Sequence, residues 1–423
     1  MIQKRSVAVL VGLALCALPG CKKDPVADGE GAGAVPPTPP VEKKATPEQG
    51  PGPFVEPPAT HLLLARHHSK AKDARFIGVE LGPAPKLLAP YDMPATPVAK
   101  WDGRYRFSAS LSGAVASHAV FRDGTWAVER RSIAGGKEPA AISLAVDDIS
   151  ALMAVGSNLF VGAGRRVGVV NVGADKPVFR QLAERQEMGG KAYDLFARDG
   201  DLVVAIDDIV TPIWAELLSL HDGVKHLEPW TLPSFINGTY GAAILRISER
   251  NERNGTLFAY GGYGIRSGHG YDLTRLEIRG GKLEVGGDVI LNSTRLEKPP
   301  VLEEHVSRST GKAEKLIAGT EVTPWTGMAV HPAAGAPEQV LLAAGKRGLL
   351  VVPAAFDPDT KATVVAGLRG SVHDVTIIGA TVYVLSEGPN GKGWLSLLEH
   401  DGRSFQPRGK PLELPESFTR FVR

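Results

Sequence analysis

Four aspartates stand where short apolar runs begin: Asp147, Asp148, Asp194 and Asp374, the last with His373 beside it. Carboxylates recurring at one place in a structural repeat could converge on a central channel and hold Ca2+, a hard cation that takes oxygen ligands. The same side chains could instead accept hydrogen bonds from backbone amides at turns. A second group lies in Gly261-Gly-Tyr-Gly-Ile-Arg-Ser-Gly-His-Gly270, which offers Tyr263, Arg266 and His269, with Asp272 just beyond. Its glycines lack the spacing of a phosphate-binding loop that opens a helix. The stretch reads as a long hairpin loop whose tip carries binding side chains on a rigid scaffold. The third group is a single thiol, Cys21. No nucleophile elbow, P-loop or paired-histidine zinc motif occurs, so no catalytic residue is assigned.

The setting of Cys21 is informative. Lys4 and Arg5 form a short basic region, and an apolar run follows from Val7 to Leu18. Such a run is too short to span a bilayer as a helix and fits the apolar region of an export signal. It ends in Leu18-Pro19-Gly20-Cys21. This resembles the bacterial lipobox. The resemblance implies cleavage between Gly20 and Cys21, diacylglycerol on the Cys21 sulfur, and a further fatty acyl chain such as palmitate on its amine. Several acyl chains anchor stably where one holds only marginally. Lys22, in place of an aspartate, resembles the pattern of an outer-membrane destination. The alternative is an ordinary cleaved signal that leaves Cys21 as a free thiol. Residues 1–20 are thus expected to be a signal peptide.

Residues 21–58 read as a disordered linker. Positions 22–58 hold ten Pro and five Gly with one aromatic, Phe54. That composition cannot bury enough apolar surface to offset its ordering entropy. The Pro-Pro pairs stiffen it toward polyproline II, with an upper reach on the order of 100 Å. Across the chain, Lys plus Arg is 48 against 46 for Asp plus Glu, so no strong positive field exists and nucleic acid is not an expected partner. Only two Cys occur, Cys16 and Cys21, which excludes a disulfide scaffold.

From residue 59 onward, short apolar runs alternate with turn signals. Hairpins with Asp-Gly or Gly-Gly turns recur at His118–Val128, Leu217–Leu227, Leu273–Val285 and Leu395–Phe405. Such pairs supply the positive φ of a tight turn. With weaker turns near 82, 173 and 358, the spacing is about 42 to 58 residues, apart from one interval of 77 that holds a polar insertion at 292–324. A four-stranded propeller blade has this period. A second unit, strand–Gly turn–strand, opens at Ala151, Asp194 and Asp374, and the last two are 180 residues apart, or four periods of 45. The body at 59–423 therefore resembles a bacterial β-propeller: all-β, seven-bladed, with six or eight blades as neighbouring alternatives. His61–Ala65 looks like a second strand lacking its first, and Ser417–Val422 like a first lacking its second. The C-terminal strand is expected to complete the first blade and close the ring.

These readings lead to an envelope lipoprotein, monomeric, anchored to the membrane by its N-terminal lipid. Its propeller would be a non-catalytic binding or scaffolding module for an envelope protein or peptide. The alternatives are a propeller enzyme or Ca2+-dependent ligand binder using the channel, and a cell-surface recognition module. Replacing the thiol tests the anchor: Cys21→Ser should abolish incorporation of labelled fatty acid, and unchanged labelling would overturn lipidation at this residue.

Overall fold

The computed structural model describes residues 57–97 (Ser69 apart), 105–135, 140–184, 338–354 and 362–423, together with the strands named below between 191 and 331. The lipobox and most of the Pro-rich linker lie outside the described residues. Among the described residues there is no helix, and seven antiparallel sheets have four or five strands each.

Sheet 1 runs Arg420–Val422, His61–Arg66, Asp73–Glu80, then Lys86–Leu87 and Tyr91–Pro94 side by side with the last. Sheet 2 is Ala109–Ser112, Val115–Arg122, Thr125–Ser132 and Ala140–Leu144; sheet 3 is Ala151–Val155, Asn158–Ala163, Arg166–Asn171 and Phe179–Glu184. Sheet 4 is Lys191–Arg198, Asp201–Asp207, Trp214–Ser219, then Lys225–His226 and Trp230–Thr231. Sheet 5 is Ile244–Asn251, Asn254–Ile265, Gly268–Arg279 and Lys282–Ile290. Sheet 6 is Gly327–His331, Gln339–Ala343, Leu349–Pro353 and Thr363–Val364. Sheet 7 is Ser371–Ile378, Thr381–Glu387, Gly393–His400, then Phe405–Pro407 and Leu412–Leu414. In sheets 2 to 7 the order is the chain order, the meander of a β-propeller blade, and in sheet 1 the last strand of the chain takes the first place.

The first strand of each sheet lies against the first strand of the next, and Arg420–Val422 lies against both Ser371–Ile378 and Ala109–Ser112. Apolar clusters fill the spaces between neighbouring sheets. Leu63, Phe76, Val120 and Ile133 join sheets 1 and 2. Trp126, Leu144, Leu159 and Val161 join sheets 2 and 3. Leu341, Leu349, Val375 and Val384 join sheets 6 and 7, and Ile77, Leu385, Leu395 and Phe418 join sheets 7 and 1. This explains why second strands read as unbroken apolar runs. Asn158–Ala163 is buried at every position, because both of its faces are covered and strict alternation is lost.

Turn chemistry follows the sequence with two corrections. Arg122 pairs directly with Thr125, and Asp123 and Gly124 have φ of 51° and 77°, the pair of positive angles that a two-residue type I′ hairpin needs. This hairpin joins the second and third strands of its sheet, whereas those near 223, 281 and 402 join the third and fourth. The equivalent of the latter in sheet 2 falls after Ser132. Asp401-Gly402 belongs to a four-residue loop, because the Asp401 carboxylate accepts the N–H groups of Arg403 and Ser404, both at 2.8 Å.

Two spacings also change. Asp194 and Asp374 lie in the first strands of sheets 4 and 7, three steps apart rather than four. Long connections around 232–243 and 291–326 stretch the interval. The insertion contains a paired hairpin, Glu303–Val306 with Ala313–Leu316.

Antiparallel alternation gives the sheets two ends. First strands begin, second strands finish and third strands begin at one end, here called the entry face. The chain enters sheet 1 at His61, on the opposite face, where Pro57 packs by Gly113 in the first turn of sheet 2.

One buried base tests the packing between sheets 1 and 2. His118 sits among Phe76 and Tyr91, and its Nε2 is 3.0 Å from the Tyr91 hydroxyl, while the Arg131 guanidinium lies 4.0 Å from the centre of the Tyr91 ring. Burial, reinforced by Arg131, pushes the His118 imidazole down to about 3, and burial pushes the Tyr91 hydroxyl up. The unfolded chain therefore binds a proton near pH 6.5 that the folded chain refuses. Stability from this group is complete above about pH 6.5 and is lost as pH falls toward 3. The slope approaches 1.4 kcal/mol per pH unit. Urea unfolding at pH 7 and at pH 4.5 should show a smaller loss in His118→Gln than in the parent chain. Equal losses in both would show that His118 is not the group responsible.

Candidate functional site

Each sequence-selected residue with a described position belongs to the entry-face half of its sheet or to the connection just before it. Asp148 precedes the first strand of sheet 3. Asp194, His373 and Asp374 stand near the starts of first strands. Tyr263 and His269 flank the turn between the second and third strands of sheet 5, and Arg266 in that turn lies outside the described residues. Asp272 pairs with Gly261 and Ile290, deeper in the same sheet.

Asp194 and Asp374 are repeats in a strict sense. Each follows a register shift, between Ala192 and Asp194 and between Val372 and Asp374. Such a bulge re-aims the next side chain relative to the ladder. At Asp374 the result is a buried carboxylate, 2% exposed. Its Oδ1 accepts the Val375 N–H at 2.8 Å, and its Oδ2 accepts the Phe421 N–H at 2.7 Å. The Arg423 guanidinium lies 3.3 Å from Oδ1 and also donates to the Val375 and Met328 carbonyls at 2.7 and 3.3 Å. Asp374 is therefore engaged between strands. Its oxygens fasten the first strand of sheet 7 to the C-terminal strand. Gly327 packs so closely against it that a Cβ there would collide with Oδ1.

Two other candidates, His373 and Asp148, are also engaged. His373 Nε2 is 3.1 Å from Glu387 Oε2, which also accepts the Ser417 hydroxyl at 2.8 Å. Asp148 pairs with Arg106 at 2.5 Å, and Arg106 also reaches the Ile149 carbonyl. Among the described residues no three His, Cys, Asp or Glu come together as a metal centre. At Asp374 both carboxylate oxygens take donors from the protein itself, and at Asp148 one oxygen is paired with Arg106.

Sequence reading missed a partner network at the inner strands. Ser110 donates to the Arg423 carbonyl at 2.5 Å and accepts the Ala154 N–H at 2.8 Å, so one hydroxyl ties three consecutive first strands. Ser112 repeats the device, accepting the Gly156 N–H at 3.2 Å. Glu416 adds ion pairs to Arg66 and to Arg75, the latter at 2.7 Å. A serine alternation in Ala109-Ser-Leu-Ser112 is the only signal that could have pointed here.

The glycine-rich stretch is a ribbon rather than a long loop. Its strands pair continuously from Gly255 with Ile278 to Ile265 with Gly268, leaving only 266–267 as the turn. The first strand of the sheet stops pairing at Tyr260, and the fourth stops at Asp272. Residues 261–265 and 268–271 thus pair only with each other among the described strands. Five residues at about 3.3 Å each extend about 16 Å past the sheet on the entry face.

No protein-family model matches the chain, and no curated protein does. The fold class is a β-propeller, and solved structures of similar outline include proteins of that kind. The structure of Kluyveromyces lactis Hsv2p aligns with TM-score 0.43 and 10% identity over 85% of this chain and 99% of that one. The WD40 propeller domain of Doa1 aligns with TM-score 0.38 and 9% identity over 75% and 83%. Chaetomium thermophilum Sqt1, solved with the N-terminus of ribosomal protein L10, aligns with TM-score 0.35 and 11% identity over 70% and 84%. The assignment rests on the seven sheets themselves.

Removal of the Asp374 carboxylate leaves the Phe421 amide and Arg423 without their acceptor. Asp374→Ala should lower unfolding free energy by about 3 kcal/mol, read by urea titration. Deletion of 416–423 should cost more, since it removes Phe418 and Phe421 as well. A midpoint unchanged by both would show that the C-terminal strand does not hold the fold.

Proposed function

We propose that this chain is a lipid-anchored, non-catalytic binding module that holds a protein or peptide partner on its entry face. In this reading Cys21 carries the anchor in the outer membrane of a bacterial envelope. The Pro-rich segment is the tether, and the seven sheets form a closed seven-bladed ring locked by Arg420–Val422. The observation that carries the binding role is the ribbon of sheet 5. A paired arm about 16 Å long extends past the outer two strands of its sheet, and its sequence supplies Tyr263, Arg266, Ser267, His269 and Tyr271. Tyr gives large contact area at low entropic cost, and Arg, Ser and Gly add adaptable hydrogen bonding, a composition suited to protein recognition. The engagement of Asp374, His373 and Asp148 in structural bonds favours binding over chemistry at the channel.

In-cell crosslinking of the full-length chain, with affinity recovery and mass spectrometry, should yield an abundant partner. Replacing 261–272 by Asn-Gly should remove that partner while leaving the melting temperature within a few degrees. Recovery of the same partner by the trimmed chain would overturn the role of the ribbon, and failure to recover any partner would overturn the binding role.

A further inference from the structure

The entry face of sheets 6, 7 and 1 carries an unbalanced charge. These sheets are consecutive, because the first strand of sheet 7 lies between those of sheets 6 and 1. Nearly all carboxylates at this end are already committed. Glu387 is bound by His373 and Ser417, Glu413 by Lys392, Glu416 by Arg66 and Arg75, and Asp92 faces Arg75 at 3.6 Å. Asp374 is buried under Arg423. Among the described residues only Asp73 is left over. Against it stand six cations without a carboxylate partner among the described residues: Lys70, Lys72, Lys346, Arg347, Arg369 and Arg420. Five are exposed.

Arg347 differs from the other five. It lies in the turn between the second and third strands of sheet 6, and that turn is fixed by two backbone hydrogen bonds between Gly345 and Val372 of sheet 7, at 2.8 and 2.9 Å. The guanidinium is half-buried, and its Nη2 is buried with no hydrogen-bond partner. A desolvated N–H donor without an acceptor is costly in a native fold, and the residue as a whole is only half-buried, which leaves part of it open to an outside carboxylate. The planar fork of arginine matches a carboxylate.

We propose that this sector docks an acidic segment of a partner protein, with one partner carboxylate seated on Arg347 and others balanced by the surrounding Lys and Arg. The inference rests on the protein-binding reading above and names the chemistry of the partner. A half-buried anchor favours a protruding side chain over a flat lipid surface. The bonds that hold the Gly345–Val372 contact place the acceptor site at the junction of sheets 6 and 7, not on the ribbon.

The test uses the full chain and a fluorescent glutamate-rich peptide of twelve residues, followed by anisotropy at low and at physiological salt. Binding should weaken with salt, and Arg347→Gln should weaken it at least tenfold with an unchanged melting temperature. Lys346→Glu with Arg369→Glu, both exposed, provides a second variant that should also lose the peptide. Absence of peptide binding at low salt, or equal binding by Arg347→Gln, overturns the proposal. So does tighter binding of an oligothymidylate of equal length or of phosphatidylglycerol vesicles. If the peptide does not bind while the ribbon still captures a crosslinked partner, the acidic-segment proposal falls and the binding role stands.

Discussion

The bond between Asp374 and the C-terminal strand carries the architecture. A four-stranded sheet in this fold has two apolar faces and is stable only between neighbours. Sheet 1 takes its first strand from the far end of the chain, and without it the apolar faces of sheets 1 and 7 would meet water. A three-residue strand has little ladder of its own: Leu63, Leu64 and Ala65 pair with Val422, Phe421 and Arg420. Side chains supply the rest. Asp374 takes the Phe421 amide, Ser110 takes the Arg423 carbonyl, and Glu416 and Ser417 are tied to Arg66, Arg75 and Glu387. Phe418 and Phe421 are buried beside Leu385 and Leu395, so polar fastening and apolar burial act at one seam.

That seam also decides what the recurring aspartates of the sequence mean. A carboxylate in the low dielectric between strands must be matched by donors. Two amides and a guanidinium supply them at Asp374. Catalysis and adhesion of strands compete for the same lone pairs. Here the strands hold them. What remains lies at the edges, on the entry face: a ribbon whose tip strands pair only with each other among the described strands, and cations without a carboxylate partner among the described residues.

Much of this was legible in the residues. Asp123-Gly124 dictates a tight hairpin because two positive φ angles are needed there. Leu62-Leu-Leu-Ala65 and Leu159-Phe-Val161 are apolar throughout because a strand covered on both faces has no polar side to show. The incomplete blades at the two ends of the body follow from the same periodicity. Other features were misread for stated reasons. The Gly-rich stretch looks like a loop because glycine is a poor strand former, yet pairing along both strands holds it extended. Asp401-Gly402 looks like a two-residue turn, but the Asp401 carboxylate wraps a longer one.

The sequence by itself determined an all-β body of repeated four-strand units, the places of most turns, and the kinds of residues offered at the entry face. These are local properties, set by backbone propensity and by which side chains avoid water. Only the tertiary structure decided the uses of those residues. Asp374 is about fifty positions from Phe421 and Arg423, and Ser110 is some three hundred from its partner at Arg423. No periodicity connects them. The sheets bring them within bonding distance, and that contact makes Asp374 a fastening between strands.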